Sequence, residues 1–124
     1  MRLLLDTHVV LWQLSGEREL SEPARDAIAA ADDLLVSVAS FAEVGIKASV
    51  GKVEVPHDLQ ARIVDSGVRT LGLSPTHGLA VADLPVHHRD PFDRLIIAQA
   101  VVERLTVVTA DPRFAAYAVE LLAA

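Results

Sequence analysis

Arg2-Leu3-Leu4-Leu5-Asp6 opens the chain and decides how the rest is read. The leucine run is too short for a buried helix and is stopped by an acid. It reads as a strand covered on both faces, with Asp6 at its carboxyl end. The pattern recurs at Leu34 to Val38, Arg69 to Leu73 and Thr106 to Thr109, with Ala118 to Leu122 as a fifth strand. Helical segments lie between them. Thr7 to Leu14 is followed by the break Ser15-Gly16, and Ser21-Glu22-Pro23 starts a helix that continues from Ala24 to Ala31. Ser40 opens another that Gly51 ends. Pro56 to Ser66, Ser74-Pro75 through Ala82, Pro91 to Arg104 and a short turn after Asp111-Pro112 complete the set. Apolar strands alternating with helices specify a parallel sheet of four to five strands with helices on both faces. The expected fold class is therefore α/β, a three-layer α/β/α sandwich. No repeat or linker interrupts it, so residues 1–124 are expected to form a single domain.

The bulk properties narrow the function. The apolar share of 52% is dispersed in short runs, none long enough to span a bilayer, and Asp6 interrupts the first at once. A soluble cytoplasmic protein is expected, with no membrane partner. Absence of cysteine excludes disulfides, thiolate metal sites and a catalytic thiol. Any metal is then held by oxygen or imidazole. A net charge of −6 argues against nucleic-acid binding, which favours basic surfaces. Setting aside Asp6, Glu43, Asp90, Asp93 and Asp111 leaves 12 acids against 11 Lys and Arg, a sum any five acids would give, so the charge permits a local acidic pocket without arguing for one.

Those acids have ordinary explanations one by one. Ser40-Phe41-Ala42-Glu43 fits a capping box, and Asp90-Pro91 and Asp111-Pro112 fit an N-cap followed by proline. Asp93 would sit in the first helical turn, where the helix dipole favours a negative charge. Capping does not explain why the acids share one rim. In a parallel sheet, strand carboxyl ends and helix amino ends face the same edge, where ligands bind. Two carboxylates about 5 Å apart repel by roughly 3 kcal/mol at an effective dielectric of about 20. A hard divalent cation, Mg²⁺ or Mn²⁺, resolves that repulsion; it would also activate water and stabilise charge on a phosphoryl group.

Leu4-Leu5-Asp6-Thr7-His8, Ser40 to Lys47, His87 to Ala100 (HHRDPFDRLIIAQA) and Val108-Thr109-Ala110-Asp111 resemble PIN-domain proteins of the VapC type, the toxins of toxin–antitoxin pairs. The resemblance spans essentially the whole chain, and its most specific part is His87 to Ala100. It implies a PIN-like fold and a metal-dependent endoribonuclease that cleaves RNA phosphodiesters by metal-activated water. Carried over by motif, Asp6, Glu43, Asp93 and Asp111 are the metal-binding acids. Asp90 is either a further acid of the site or only the N-cap of its helix. The resemblance also implies a homodimer and a small cognate antitoxin of VapB type. That partner would cover an apolar groove and place a basic side chain near the acids.

Supporting residues carry two readings each. Thr7, Ser40 and Thr109 adjoin the acids and either orient them or satisfy strand and helix ends. Lys47, four residues after Glu43, forms an exposed ion pair or approaches a phosphate. Arg94 neutralises phosphate or holds a carboxylate. His87-His88-Arg89 reads as a loop touching RNA or a partner rather than as an imidazole metal site. Trp12 reads as packing, with base stacking as the alternative. Two rival functions remain open. One is another magnesium-dependent α/β phosphotransfer enzyme, although position 8 is His where a phosphatase needs a second Asp. The other is a non-catalytic PIN-like binding module.

Overall fold

A computed structural model describes Met1–Ala124. Five strands, β1 (Arg2–Leu5), β2 (Asp33–Ser37), β3 (Arg69–Leu71), β4 (Thr106–Thr109) and β5 (Leu121–Ala123), form one sheet in the order β3-β2-β1-β4-β5. Every pairing is parallel. The helices are α1 (Thr7–Ser15), α2 (Glu22–Ala30), α3 (Val38–Ser49), α4 (Leu59–Asp65), α5 (Pro75–Ala80) and α6 (Pro91–Glu103), with 3₁₀ turns at Val81–Asp83 and Pro112–Ala116. The expected α/β/α architecture is present, and no helix is long and apolar enough to cross a membrane.

Two cores follow from the pleat of the sheet, because successive strand residues point to opposite faces. Leu3, Leu5, Val36 and Val108 face one way and pack with Val9, Val10, Ala24, Leu59 and Ile63. Leu4, Leu35 and Val107 face the other way and meet Ile96, Ile97, Ala100, Phe114 and Tyr117. Both faces of β1 are therefore dry, as the leucine run requires, and Leu3, Leu4 and Leu5 are fully buried. The chain builds β2 and β3 on one side of β1, then crosses to add β4 and β5 on the other. That change of direction opens a crevice beyond the carboxyl ends of β1 and β4, the place where open α/β sheets bind ligands.

Several boundaries differ from the sequence expectation. Helix α3 begins at Val38 directly from β2, and its N-cap is Ser37, whose Oγ accepts from the Ala39 N–H at 2.9 Å. Ser40 is thus one turn inside the helix, and the expected Ser40–Glu43 capping box is absent. Ser37 wins because it is the residue that ends the strand. Helix α4 begins at Leu59, after a turn in which the Leu59 N–H donates to the Pro56 carbonyl at 3.1 Å. Strand β5 lies at Leu121–Ala123 rather than Ala118–Leu122. The 3₁₀ turn that buries Phe114 and Tyr117 consumes the chain before it. Ser74 caps α5 as expected, in a capping box completed by His77.

The paired burial of β1 makes its centre the most sensitive apolar position. Leu4→Ala is expected to cost about 2–5 kcal/mol. Urea unfolding should show it as a lower midpoint with an unchanged slope.

Candidate active site

Asp6 ends β1 and caps α1 at once. One carboxylate oxygen accepts from the Thr7 N–H at 2.8 Å and the other from the Thr109 hydroxyl at 2.8 Å. Both oxygens are held, so the side chain has one orientation despite lying only 5% exposed. Thr109 Oγ1 in turn accepts from the Asp111 N–H at 3.0 Å, tying the end of β4 to the end of β1. The Thr7 and Ser40 side chains bond each other rather than an acid: the Thr7 hydroxyl donates to Ser40 Oγ at 2.7 Å. That bond pins α1 to α3.

Glu43, in the second turn of α3, and Asp93, in the first turn of α6, are buried beside Asp6. Their proximity is felt electrostatically. Burial is the main cause that raises the Asp6 pKa, with Glu43 adding to it against the Thr109 and Thr7 hydrogen bonds. Burial likewise pushes Asp93 up to about 6; the His88 bond opposes this, while Asp90 and Asp6 reinforce it. A single cation reaches into the group. Lys47 Nζ lies 2.9 Å from Glu43 Oε2, and this bond, aided by the charges of Asp90 and Asp93, raises the lysine pKa. The pair is not the exposed one expected, because the Glu43 side chain is only 6% accessible.

Asp90 is the N-cap of α6 and also lies beside the candidate centre. Its Oδ1 accepts from the Phe92 and Asp93 N–H groups at 2.9 and 3.1 Å, a full N-cap. It also lies with His88 and Asp93 in a group whose potential ligand atoms are all within 4.8 Å of one another. His88 is the residue that sequence reasoning undervalued. Its Nε2 lies 2.6 Å from Asp93 Oδ2, and its side chain is largely buried. The signal was present in His88-Arg89-Asp90-Pro91, since a capped helix start folds the preceding loop back over its own first turn.

Asp111 stands apart. It lies at the rim, sharing a hollow with Asp6, and the Arg113 guanidinium grips both of its oxygens at 2.7 to 3.1 Å. The Arg113 bond holds its carboxyl below the ordinary value, the reverse of Asp6 and Asp93. Arg94 corrects the expectation more strongly. Rather than facing a phosphate or a carboxylate, its guanidinium donates to the carbonyls of Val81, Leu84, Pro85 and His88 and to the Tyr117 hydroxyl. Tyr117 also donates to the His88 carbonyl at 3.2 Å. Arg94 is the clamp of the loop that delivers His88.

The donor set suits a hard divalent cation. It consists of carboxylate oxygens and one imidazole, and Asp6 and Asp93 are driven toward protonation even with Lys47 bonded to Glu43 and His88 to Asp93. The cluster of acids and histidine can thus bind a metal ion.

Asp93 makes metal-free stability depend on pH. Its folded value of about 6 lies above the ordinary 3.8, so its protonated form favours the fold. That contribution is intact below about pH 4 and is lost as pH rises through 6, roughly 2–3 kcal/mol in all. Asp93→Asn removes the dependence. In EDTA the variant should melt higher than the parent at pH 7.5, with the gap closing by pH 4.5; a constant gap in thermal scans would refute the assignment.

Comparison with known proteins identifies the family. The PIN domain family model matches residues 3–120. Ribonuclease VapC22 of Mycobacterium tuberculosis (strain ATCC 25618 / H37Rv) is 33% identical over 114 residues, which cover 90% of this chain and 88% of that protein. In fold, the chain resembles VapBC2 from Rickettsia felis, solved bound to a promoter DNA fragment, with a TM-score of 0.74 at 18% identity, covering 99% of this chain and 98% of that one. DNA-bound VapBC from Salmonella typhimurium gives a TM-score of 0.71 at 15% identity, with coverage of 99% and 98%. The match of the family model over nearly the whole chain, together with the identity to a VapC ribonuclease, shows that this chain belongs to the PIN domain family.

Proposed function

We propose that this chain is a single-domain, metal-dependent endoribonuclease and the toxin of a VapBC-type pair. The observation that carries the reading is the burial of Asp6, Glu43 and Asp93 at one sheet end, where Lys47 is the one lysine or arginine bonded to any of the three. A binding module that never met a cation would bear this repulsion for nothing. The rival phosphotransfer enzymes lack support in the structure, since position 8 presents an exposed histidine where a phosphatase places its second acid.

Each residue then has a physical task. Thr7 and Thr109 fix the Asp6 oxygens, and Asp90 sets the first turn of α6 so that Asp93 projects from a rigid helix start. His88 holds Asp93 Oδ2, and Lys47 offsets Glu43 when no other cation is present. Asp6, Glu43 and Asp93, with Asp90 and Asp111 at the margin, would hold Mg²⁺ or Mn²⁺. Bound there, the ion supplies an activated water and neutralises charge on the RNA phosphodiester. In-line attack by water on phosphorus breaks the P–O bond to the leaving ribose oxygen.

The partner reading follows from the relatives, two of which were solved as VapBC assemblies. A small VapB-type antitoxin would cover an apolar surface of the toxin and bring a basic side chain to the acids. The protein would act in the cytoplasm as a homodimer.

The purified chain should cleave single-stranded RNA in Mg²⁺ or Mn²⁺ and stop in EDTA. Asp93→Asn should lower the rate at least about 100-fold, because several kcal/mol of charge stabilisation are lost. Cleavage that survives EDTA, or that the variant retains, would overturn the proposal.

A further inference from the structure

Beside the acids lies a hollow of about 320 Å³ lined by Asp6, His8, Trp12, Arg18, Ala110 and Asp111. Two of these residues lie against a third, Trp12. The Arg18 guanidinium carbon sits 4.3 Å from the indole centroid of Trp12, and the His8 ring is 5.7 Å from that indole at a 38° tilt. Arg18 forms no salt bridge, unlike its neighbour Arg25, which meets Glu19. In a chain of net charge −6 it is an uncompensated cation held by an aromatic face, next to two acids of the proposed centre.

We propose that this hollow is a nucleotide subsite: the base of a single-stranded RNA residue flanking the scissile phosphodiester stacks against Trp12 and His8, and its phosphate is met by Arg18. The inference rests on the ribonuclease reading and adds a binding site to it. An aromatic platform bearing a guanidinium is the chemistry that holds unpaired bases irrespective of sequence. The hollow is of nucleotide dimensions, and its floor at Asp6 and Asp111 joins it to the reacting centre. Aspartates on the floor repel phosphate, so the backbone is directed to the Arg18 side. A tryptophan needed only for packing has no reason to present its face to a free arginine at the mouth of the site.

Trp12 is the sole tryptophan of the chain, so tryptophan fluorescence reports on the residue proposed to carry the base. The test uses the full-length Asp93→Asn protein, which binds RNA without cutting it, and a labelled ten-nucleotide single-stranded RNA. Binding by anisotropy should be accompanied by tryptophan quenching at the same midpoint. Trp12→Leu should weaken binding about ten-fold or more, while Trp12→Phe, which keeps the platform, restores most of it. Arg18→Gln, which removes the charge from the Trp12 face, should weaken binding and flatten the log–log salt dependence by about 0.7. RNA that binds without quenching, and equally well to the Arg18→Gln and Trp12→Leu proteins, would overturn the subsite and leave the nuclease intact. If the parent neither binds nor cleaves RNA, the ribonuclease reading fails and the subsite with it.

Discussion

Like charges forced together out of water are the constraint on which this structure turns. Asp6, Glu43 and Asp93 come from three separate elements, and each is nearly inaccessible. Nothing in folding favours such a gathering. The sheet topology imposes it, by aiming the end of β1 and the α3 and α6 segments at one crevice. Its cost is visible in the elevated carboxyl pKa values and in the lysine drawn onto Glu43. The remaining site is organised around that tension. Hydroxyls and amides fix the acids they touch, and Arg113 neutralises the acid at the rim.

The fold was legible because it follows from periodicity alone. Leu3-Leu4-Leu5 admits burial on both faces and little else, and the alternation of such runs with helices leaves few arrangements. The boundaries that failed did so where two local signals competed. Ser37 and Ser40 are equally good caps in isolation, and only the end of pairing with β3 at Leu71 decides between them. That Asp6, Glu43 and Asp93 come from different segments and are all buried agrees with what strand ends and helix segments suggested. The separate environments of the acids were not legible, since the raised pKa of Asp93 and the lowered pKa of Asp111 depend on His88 and Arg113 folding back over them.

Arg94 illustrates the other limit. An arginine adjacent to a site acid invites a role toward substrate, yet its five acceptors are four loop carbonyls and a tyrosine hydroxyl. A guanidinium has donors in a fixed fork, and a loop that turns around it can satisfy them all. Which use prevails is set by where residues 81–88 run, information that no spacing in the chain contains. The result is a rigid support for His88 built from a residue that only looks functional.

The central position of β1 carries a consequence for folding. The strand is bracketed by one that follows within forty residues and by another more than a hundred residues along, and the hydroxyl that fixes Asp6 comes from the latter. A partly folded chain therefore leaves one edge of β1 unpaired, and Asp6 without its second hydrogen bond, until the segment carrying Thr109 docks. The order of the strands makes the orientation of that carboxylate among the last contacts to form.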